Sequence, residues 1–455
     1  MKAVPAGSVV AEAHEQATPM PPAAAIRPTK WSVIWLLTLT IFSALTVGGL
    51  LSPLQEAVKA ELHLSDLDIG LLAGGATAIP IALLSLPIAW LVDHSKRNRL
   101  LVILASFWAV GTIGTAFAPS LTWLFLARLI AGIGAGTAFP VLISLLADVC
   151  MPDRRGRSML LVSIGAWGGA AASFAIGGSL FGYLTSHPGA GLLGMTPWRE
   201  VHLLVGTGSA LAVVPLCFIQ EPPRYEVEQT SVSLRLAMQA FWRRRKFLVP
   251  LLAGQLTGGM AEGAAAIWMG SLLIRQYHQA PGSFGGWVGA VILGSGIIGS
   301  VIGGFAADAA GKLKMRGAIL LPAAIATALT IPAGAFSIMP TVAGFAWVLF
   351  ALLVGGTIVN LVSSAAIAVL IPNEDRAVTL AGMKIAGTMV GAGIAPPLVV
   401  WLSTFSTGQW GLGEAVAVMG VVTGAMSLAG FWLAMRNAPQ EVALDPNAKM
   451  IPAEA

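Results

Sequence analysis

Charge is what this sequence has least of. Only 10% of its 455 residues are Asp, Glu, Lys or Arg, less than half of the about 25% found in a water-soluble domain. A chain that faces water on all sides is therefore excluded. Cysteine is nearly absent too. Cys150 and Cys217 alone make neither a disulfide framework nor a Cys-rich metal site, and both fall at or near the ends of apolar runs where a small hydrophobe suffices. There is no H-E-x-x-H, no phosphate-binding loop and no G-x-S-x-G, and no space for the nucleotide domain of an ATP-driven pump. The isoelectric point near 9.4 does not signal nucleic acid, because the basic residues come in short clusters between long apolar runs rather than on one solvated face.

What is present is apolar. Hydrophobic residues make up 56% of the chain, with 53 glycines, and the mean hydropathy is +0.80. Twelve membrane helices of about 20 residues need roughly 240 residues, which this composition supplies. Apolar runs fall at 31–58, 67–92, 100–117, 120–147, 158–185, 201–220, 247–274, 283–307, 317–338, 341–371, 378–404 and 412–435. They are too long and too continuously apolar for barrel strands, so helices that pair their own backbone are expected. Residues 1–30, rich in Ala and Pro and without a signal-peptide core, read as a disordered tail, and 437–455 as a second tail. The longest internal polar stretch, within 221–246, separates a bundle at 31–220 from one at 247–436. Its run Arg243-Arg244-Arg245-Lys246 reads as an anchor to anionic headgroups.

Basic residues orient the chain. With the amino terminus inside, 21 of the 26 Lys and Arg fall in inner loops and tails, three (Lys59, Arg199, Arg275) in outer loops, and two (Arg128, Lys384) within spans. The positive-inside rule then puts both termini in the cytoplasm of a plasma (inner) membrane protein.

The two halves echo one another, as in transporters whose site lies at a repeat interface. Ala89 precedes Asp93-His94-Ser95-Lys96-Arg97 after the second run, and Gly304 precedes Asp308 and Lys312 after the eighth. Asp148, Pro152, Asp153 and Arg154 after the fourth run match Pro372, Asp375 and Arg376 after the tenth. In these residues the chain resembles the major facilitator superfamily, whose loop motif reads Gly, three residues, Asp-Arg, one residue, Gly-Arg. Here Ala89 stands for the Gly and His94 for the first Arg. The resemblance implies twelve transmembrane helices in two pseudo-symmetric six-helix bundles, an all-α membrane fold. It assigns Asp93, Arg97, Asp148, Arg154, Asp308 and Arg376 to a cytoplasmic gate; the plainer reading is that these charges only fix topology. The run Arg128-Leu129-Ile130-Ala131-Gly132-Ile133-Gly134-Ala135 looks like the fourth span of the spinster-like branch, some of whose members move lysolipids and sphingoid lipids. Pro197-Trp198-Arg199 and Glu221-Pro222-Pro223-Arg224 fit that branch as well. Ala135 stands where the branch tends to carry a Glu, and Ala44-Leu45 where it carries Asp-Arg, so its usual proton-coupling acids are missing.

An ionisable residue inside the membrane is by default a site candidate. Glu262 lies 16 residues after Lys246 and 13 before Arg275, near the midplane, where desolvation penalises the charged form and makes the group a candidate for proton exchange; a structural role is the alternative. Gln255 and Met269, seven residues to either side, share its helical face. Arg128, about 13 Å into its span, is assigned to the central cavity by the resemblance. It can hold an anionic group bidentately or pair within its own half. Lys384 can snorkel, and His202 reads as interfacial. Thr357, Asn360 and Ser364 form a polar stripe that either lines a cavity or bonds between helices. Trp167 and Trp268 are candidate aromatic walls. Gly294-Ser295-Gly296-Ile297-Ile298-Gly299 spells a dinucleotide fingerprint without its strand, and reads instead as a small-residue face for close helix packing.

The expectation is a secondary active transporter, not an enzyme, that works by alternating access on a small organic or amphipathic solute, lysolipid-like or an organic anion. It is expected to act as a monomer among membrane lipids, with no cofactor, metal or nucleic acid. Substrate contacts fall to Arg128, Glu262, Asn360, Thr357, Ser364, Gln255 and Trp268, and transport is either coupled to protons through Glu262 or uncoupled. A multidrug efflux antiporter, weakened by a fifth span lacking the usual Pro, and a solute sensor on a transporter scaffold remain as alternatives.

Overall fold

The computed structural model describes residues 29–191, 193–224, 241–405 and 411–439. The tails expected at the two ends and most of the 221–246 linker lie outside these residues. Among the described residues every regular element is helical. In chain order these are α1 (Trp31–Leu62), α2 (Asp66–His94), α3 (Arg97–Ala116), α4 (Leu121–Val149), α5 (Arg155–Ser186), α6 (Pro197–Phe218), α7 (Arg245–Arg275), α8 (Pro281–Gly311), α9 (Ala318–Ile338), α10 (Val342–Leu370) and α12 (Gly411–Asn437). Between the last two, α11 runs as Asn373–Thr388, a π-helical stretch Met389–Ile394, and Ala395–Ser403. Among the described residues eleven helices are long and apolar enough to span a membrane. The twelfth, α7, has the length but carries Gln255 and Glu262 in its middle, which lowers its hydropathy.

Local chemistry sets the helix ends. Ser65 caps α2 in a reciprocal box with Asp68. Ser120 caps α4 and Thr341 caps its repeat counterpart α10, while Pro197 and Pro281 occupy the first turns of α6 and α8. α1 is interrupted at Leu50 and resumes as Leu51–Leu62. This second piece contains Gln55, Glu56 and Lys59, polar enough that its apolar run had suggested an end at 58.

α1–α6 pack as one bundle and α7–α12 as another. They meet along α5 with α8, α2 with α11, and the second piece of α1 with α7. The first two contacts are equivalent under the repeat, and both rest on absent side chains. A Cβ at Gly178 would lie 2.6 Å from the Pro281 carbonyl oxygen, one at Gly285 2.5 Å from that of Phe174, and one at Gly74 2.5 Å from that of Ala392. Inside lipid, where burial of apolar surface drives little, such close backbone approach is what holds helices together. The small-residue face of α8 is divided: Gly299 and Gly303 admit Thr357 and Ile358 of α10, and Gly296 admits Trp167 of α5.

At the face where α1 begins and α12 ends, the ion pairs among the described residues stay within each bundle. Arg97 of α3 is buried against Asp148 of α4 and donates to Glu221 at 3.0 Å. In the other bundle Arg244 pairs with Asp375 at 2.5 Å. Replacing Arg97 by Met leaves the buried Asp148 carboxylate without its guanidinium, a loss of about 3–5 kcal/mol. The thermal unfolding midpoint of the purified protein should fall by about 3–5 °C, and a midpoint unchanged from wild type would show that this pair does not hold α3 to α4.

Candidate functional site

A cavity of about 620 Å³ lies between the bundles, walled by α1, α2, α4 and α5 on one side and α7, α8, α10 and α11 on the other. Small residues, among them Ala44, Gly132, Ala135, Gly263 and Gly391, leave the space open, and Leu45, Trp167, Phe174, Ile292 and Leu353 make its walls apolar. Ala44 and Ala135, which stand where the spinster-like branch has acids, both line this space.

The two mid-membrane charges face the cavity from opposite bundles. Arg128 on α4 is buried, and its guanidinium donates to the Val47 oxygen at 3.1 Å and the Gly48 oxygen at 2.8 Å. Those carbonyls come just before the interruption of α1 at Leu50, so Arg128 pins α4 to α1 at the point where the α1 ladder breaks. Glu262 on α7 projects its carboxylate over Gly356 of α10, where any Cβ would run into it. Among the described residues Glu262 makes no hydrogen bond or ion pair, although it lines both the cavity and a small recess behind it.

The other candidates are distributed differently from their sequence spacing. Met269 lines the cavity, but Gln255 does not. Gly254 and Gly258 draw that part of α7 against Ser427 and Phe431 of α12, and a seven-residue spacing drifts by about 20° per heptad. Gln255 is buried with its Oε1 unpartnered. Trp268 is fully buried outside the lining and donates its indole N–H to the Pro396 oxygen at 3.2 Å; of the two tryptophans only Trp167 is a cavity wall. The stripe on α10 divides. Thr357 packs on Gly299 of α8 and returns its hydroxyl proton to the Leu353 oxygen at 2.9 Å. Asn360 continues the face of Leu353 and Gly356 beyond the lining residues and is exposed, and the Ser364 hydroxyl donates to the Asn360 oxygen at 2.9 Å. His202, in the second turn of α6, is fully buried within the protein, with Nδ1 2.8 Å from the Trp198 oxygen. Lys384 does not reach away from the protein, because its ammonium sits 4.4 Å from the centre of the Phe139 ring across the two bundles.

Among the described residues, the charges expected at a gate make no ion pair that joins the halves in this conformation. Arg97 and Asp148 pair within one bundle. Arg154 lies 4.0 Å from Asp153 and Arg376 donates to the Ile371 oxygen at 3.3 Å. Asp93 accepts from Arg224 only through its backbone oxygen, and Asp308 is exposed. The cross-half polar contacts cluster at the opposite face. There Arg275 of α7 reaches Glu56 at 2.6 Å and the two oxygens of Asp66 at 2.6 and 2.8 Å, while Lys59 pairs with Asp66 at 2.5 Å. Below them Gln55 donates to the Ile267 oxygen at 2.9 Å and to the Ser271 hydroxyl at 2.6 Å, and Ser52 donates to the Ala266 oxygen at 2.8 Å. Sequence reasoning placed Arg275 in an outer loop. The signal it passed over is that one of three basic residues on that side has acids at the facing ends of α1 and α2.

Arg275→Gln removes the charge that α7 contributes to this seal. A half-exposed pair of this kind contributes about 1 kcal/mol, roughly a fivefold change in the population of a two-state equilibrium. In sealed vesicles of a Cys217→Ser background, a cysteine placed at the cavity residue Ser173 should react about fivefold faster with an impermeant thiol reagent supplied from the Arg275 face. An unchanged rate would mean that the glycine contacts alone close that face.

Comparison with known proteins agrees with this architecture. Residues 36–365 match the family model described as Major Facilitator Superfamily. Spinster homolog 1 of Rattus norvegicus is 26% identical over 241 residues, 50% of this chain but 42% of the relative, so the match spans under half of that protein's length. A cis,cis-muconate transport protein of Acinetobacter baylyi is 25% identical over 85% of this chain and 90% of its own. Among solved structures, a bacterial homolog of the human lysosomal transporter Spinster, inward-facing and unoccupied, superposes with a TM-score of 0.77 at 19% identity, covering 90% of this chain and 98% of that one. With a family model matched over most of its helices and a central cavity between two six-helix bundles, this chain belongs to the Major Facilitator Superfamily.

Proposed function

We propose that the protein is a secondary transporter that carries a small organic anion with an apolar body through the central cavity by alternating access. The observation that carries this reading is a cavity of about 620 Å³ between two bundles with a cation, Arg128, in one wall and an unpaired carboxylate, Glu262, in the other. That volume is in the range of about 300–1,000 Å³ usual for small-molecule sites. Apolar walls suit a hydrocarbon body. The guanidinium, part of whose donor set is spent on Val47 and Gly48, is the group to hold an acid at one end. Glu262 then carries the coupling proton, which it can take up or release according to whether water or the substrate's charge faces it.

Alternating access needs one face sealed while the other is open. With both termini in the cytoplasm, the Arg275 cluster seals the outer face and the solute enters or leaves from inside. The gate proposed for Asp93, Arg97, Asp148, Arg154, Asp308 and Arg376 is then in its open arrangement. The muconate transport protein named above supports dicarboxylic acids as the first substrates to try, and the resemblance to the spinster-like branch, some of whose members move lysolipids, puts lysolipids second. An efflux role is the second reading; an MFS-type efflux pump of Mycolicibacterium smegmatis, 24% identical over 89% of this chain, supports it.

Flux into proteoliposomes decides among these. Uptake of a labelled unsaturated dicarboxylate should respond to an imposed pH gradient in the wild type and lose that response in Glu262→Gln. Binding of the acid without flux would overturn transport in favour of a sensor. Flux of cationic drugs with none of acids would overturn the anion assignment. A pH response retained in Glu262→Gln would remove Glu262 from coupling.

A further inference from the structure

Behind Glu262, on the side away from the central cavity, lies a recess of about 20 Å³ enclosed by α7, α9, α10 and α12. Its size is about that of a single water molecule. Glycines keep it from being filled: Gly258 on α7, Gly356 on α10, and Gly420 and Gly424 on α12 contribute backbone and no side chain. The polar groups around it are Glu262, Thr327, Thr330 and Ser427.

Every hydroxyl there has spent its proton elsewhere. Thr327 donates to the Ala323 oxygen at 2.8 Å, Thr330 to the Ala326 oxygen at 2.9 Å, and Ser427 to the Gly254 oxygen at 2.6 Å. A hydroxyl has one proton to give and two lone pairs, so what remains for the recess is oxygen acceptors only. An ionised Glu262 adds two more. Among the described residues no cationic side chain lines the recess. Of the charges on the elements around the central cavity, Arg128 of α4 lines it and is engaged with Val47 and Gly48, while Lys384 of α11 lies over Phe139 and outside the lining. A ring of oxygen lone pairs around one negative charge, with space for one particle, is a coordination shell rather than a hydrogen-bond site for an anion or an apolar group.

We propose that this recess binds one dehydrated monovalent cation of Na+ size, held by the Glu262 carboxylate and the hydroxyl oxygens of Thr327, Thr330 and Ser427. The protein oxygens replace the ion's hydration shell, as carbonyls do in a selectivity filter. The inference rests on the reading of Glu262 as the coupling carboxylate and extends it: the cation and the proton compete for the same oxygens, so Na+ occupies the site when Glu262 is ionised and leaves when it is protonated. Hydrated ions and large organic cations are excluded by the size of the recess.

The test is thermal unfolding of the full-length protein in detergent at alkaline pH, with NaCl exchanged for KCl or choline chloride at constant ionic strength. Na+ should raise the midpoint by at least about 2 °C, K+ less and choline not at all, and acidification should reduce the effect. Glu262→Gln should abolish it. Thr330→Val and Ser427→Ala, which keep the carboxylate, should each weaken the apparent Na+ affinity by about tenfold, an independent check should the Gln variant fold poorly. No Na+-specific rise in the wild type, or one that persists in Glu262→Gln, overturns the proposal. The failure of this site is separable from failure of the transport reading: flux that depends on Glu262 with no Na+ effect removes only the cation site, while Na+ stabilisation without flux removes only the transport.

Discussion

The architecture depends on backbone meeting backbone between the two bundles. Gly178 and Gly285 let α5 and α8 approach, and Gly74 and Gly70 let α2 approach the segment of α11 around Ala392 and Pro397. Because these contacts involve little side-chain surface, they act as bearings: two helix pairs related by the internal repeat touch closely while the space between them stays empty. The cavity is the consequence. It is kept open by small residues on the inner faces of six of the eight helices that wall it, and a lipid environment does not drive it to collapse in the way water would.

Charge is distributed accordingly. Where the chain must be rigid, charges are paired within a bundle, as in Arg97 with Asp148 and Glu221, or Arg244 with Asp375. Where the bundles are joined, the pairs cross, and among the described residues they do so at one face, through Arg275, Glu56 and Asp66. Half-exposed pairs contribute little each, which suits a seal that has to open. Arg128 is the intermediate case, a mid-membrane cation tied to two carbonyls of its own bundle and still facing the cavity.

Much of this was legible in the sequence because length and hydropathy alone specify a membrane helix. The second apolar run, 67–92, corresponds to α2 at Asp66–His94, and the tenth, 341–371, to α10 at Val342–Leu370. The interruption of α1 at Leu50 and the π-helical stretch Met389–Ile394 left no comparable mark, since no polar residue falls in either. Glu262 and Arg128 stood out because an ionisable group in an apolar run is rare. Trp268, Gln255 and Thr357 could not be sorted from wall residues by spacing, because which side of a buried helix faces a cavity is decided by its neighbours. For Thr357 the deciding neighbour is Gly299 on α8, and for Gln255 it is the close packing of Gly254 against α12. The absence of a side chain at Gly356, which gives Glu262 its place, is visible only once α7 and α10 are set side by side.

Asymmetry between the bundles then gives each its part in the proposed cycle. The amino-terminal bundle presents a guanidinium that two carbonyls of its own bundle hold in place, with donors left over for an anionic solute. Across the cavity, the carboxyl-terminal bundle presents a carboxylate without a partner among the described residues, seated on Gly356 and backed by a recess of oxygen acceptors. A group that lacks a partner is the one whose free energy changes most when a proton, a cation or a charged solute arrives. Only differential binding can shift a conformational equilibrium, so the carboxyl-terminal wall is where occupancy of the site can be converted into movement. The π-helical stretch of α11 lies beside that wall. Gly391, which a Cβ at Gly263 would strike, and Gly393, which meets Ala78 of α2, place the irregular turn between α7 and the bearing with α2. In the proposed cycle, a change at Glu262 would pass through α7 and the irregular turn of α11 to one of the two close contacts between the bundles.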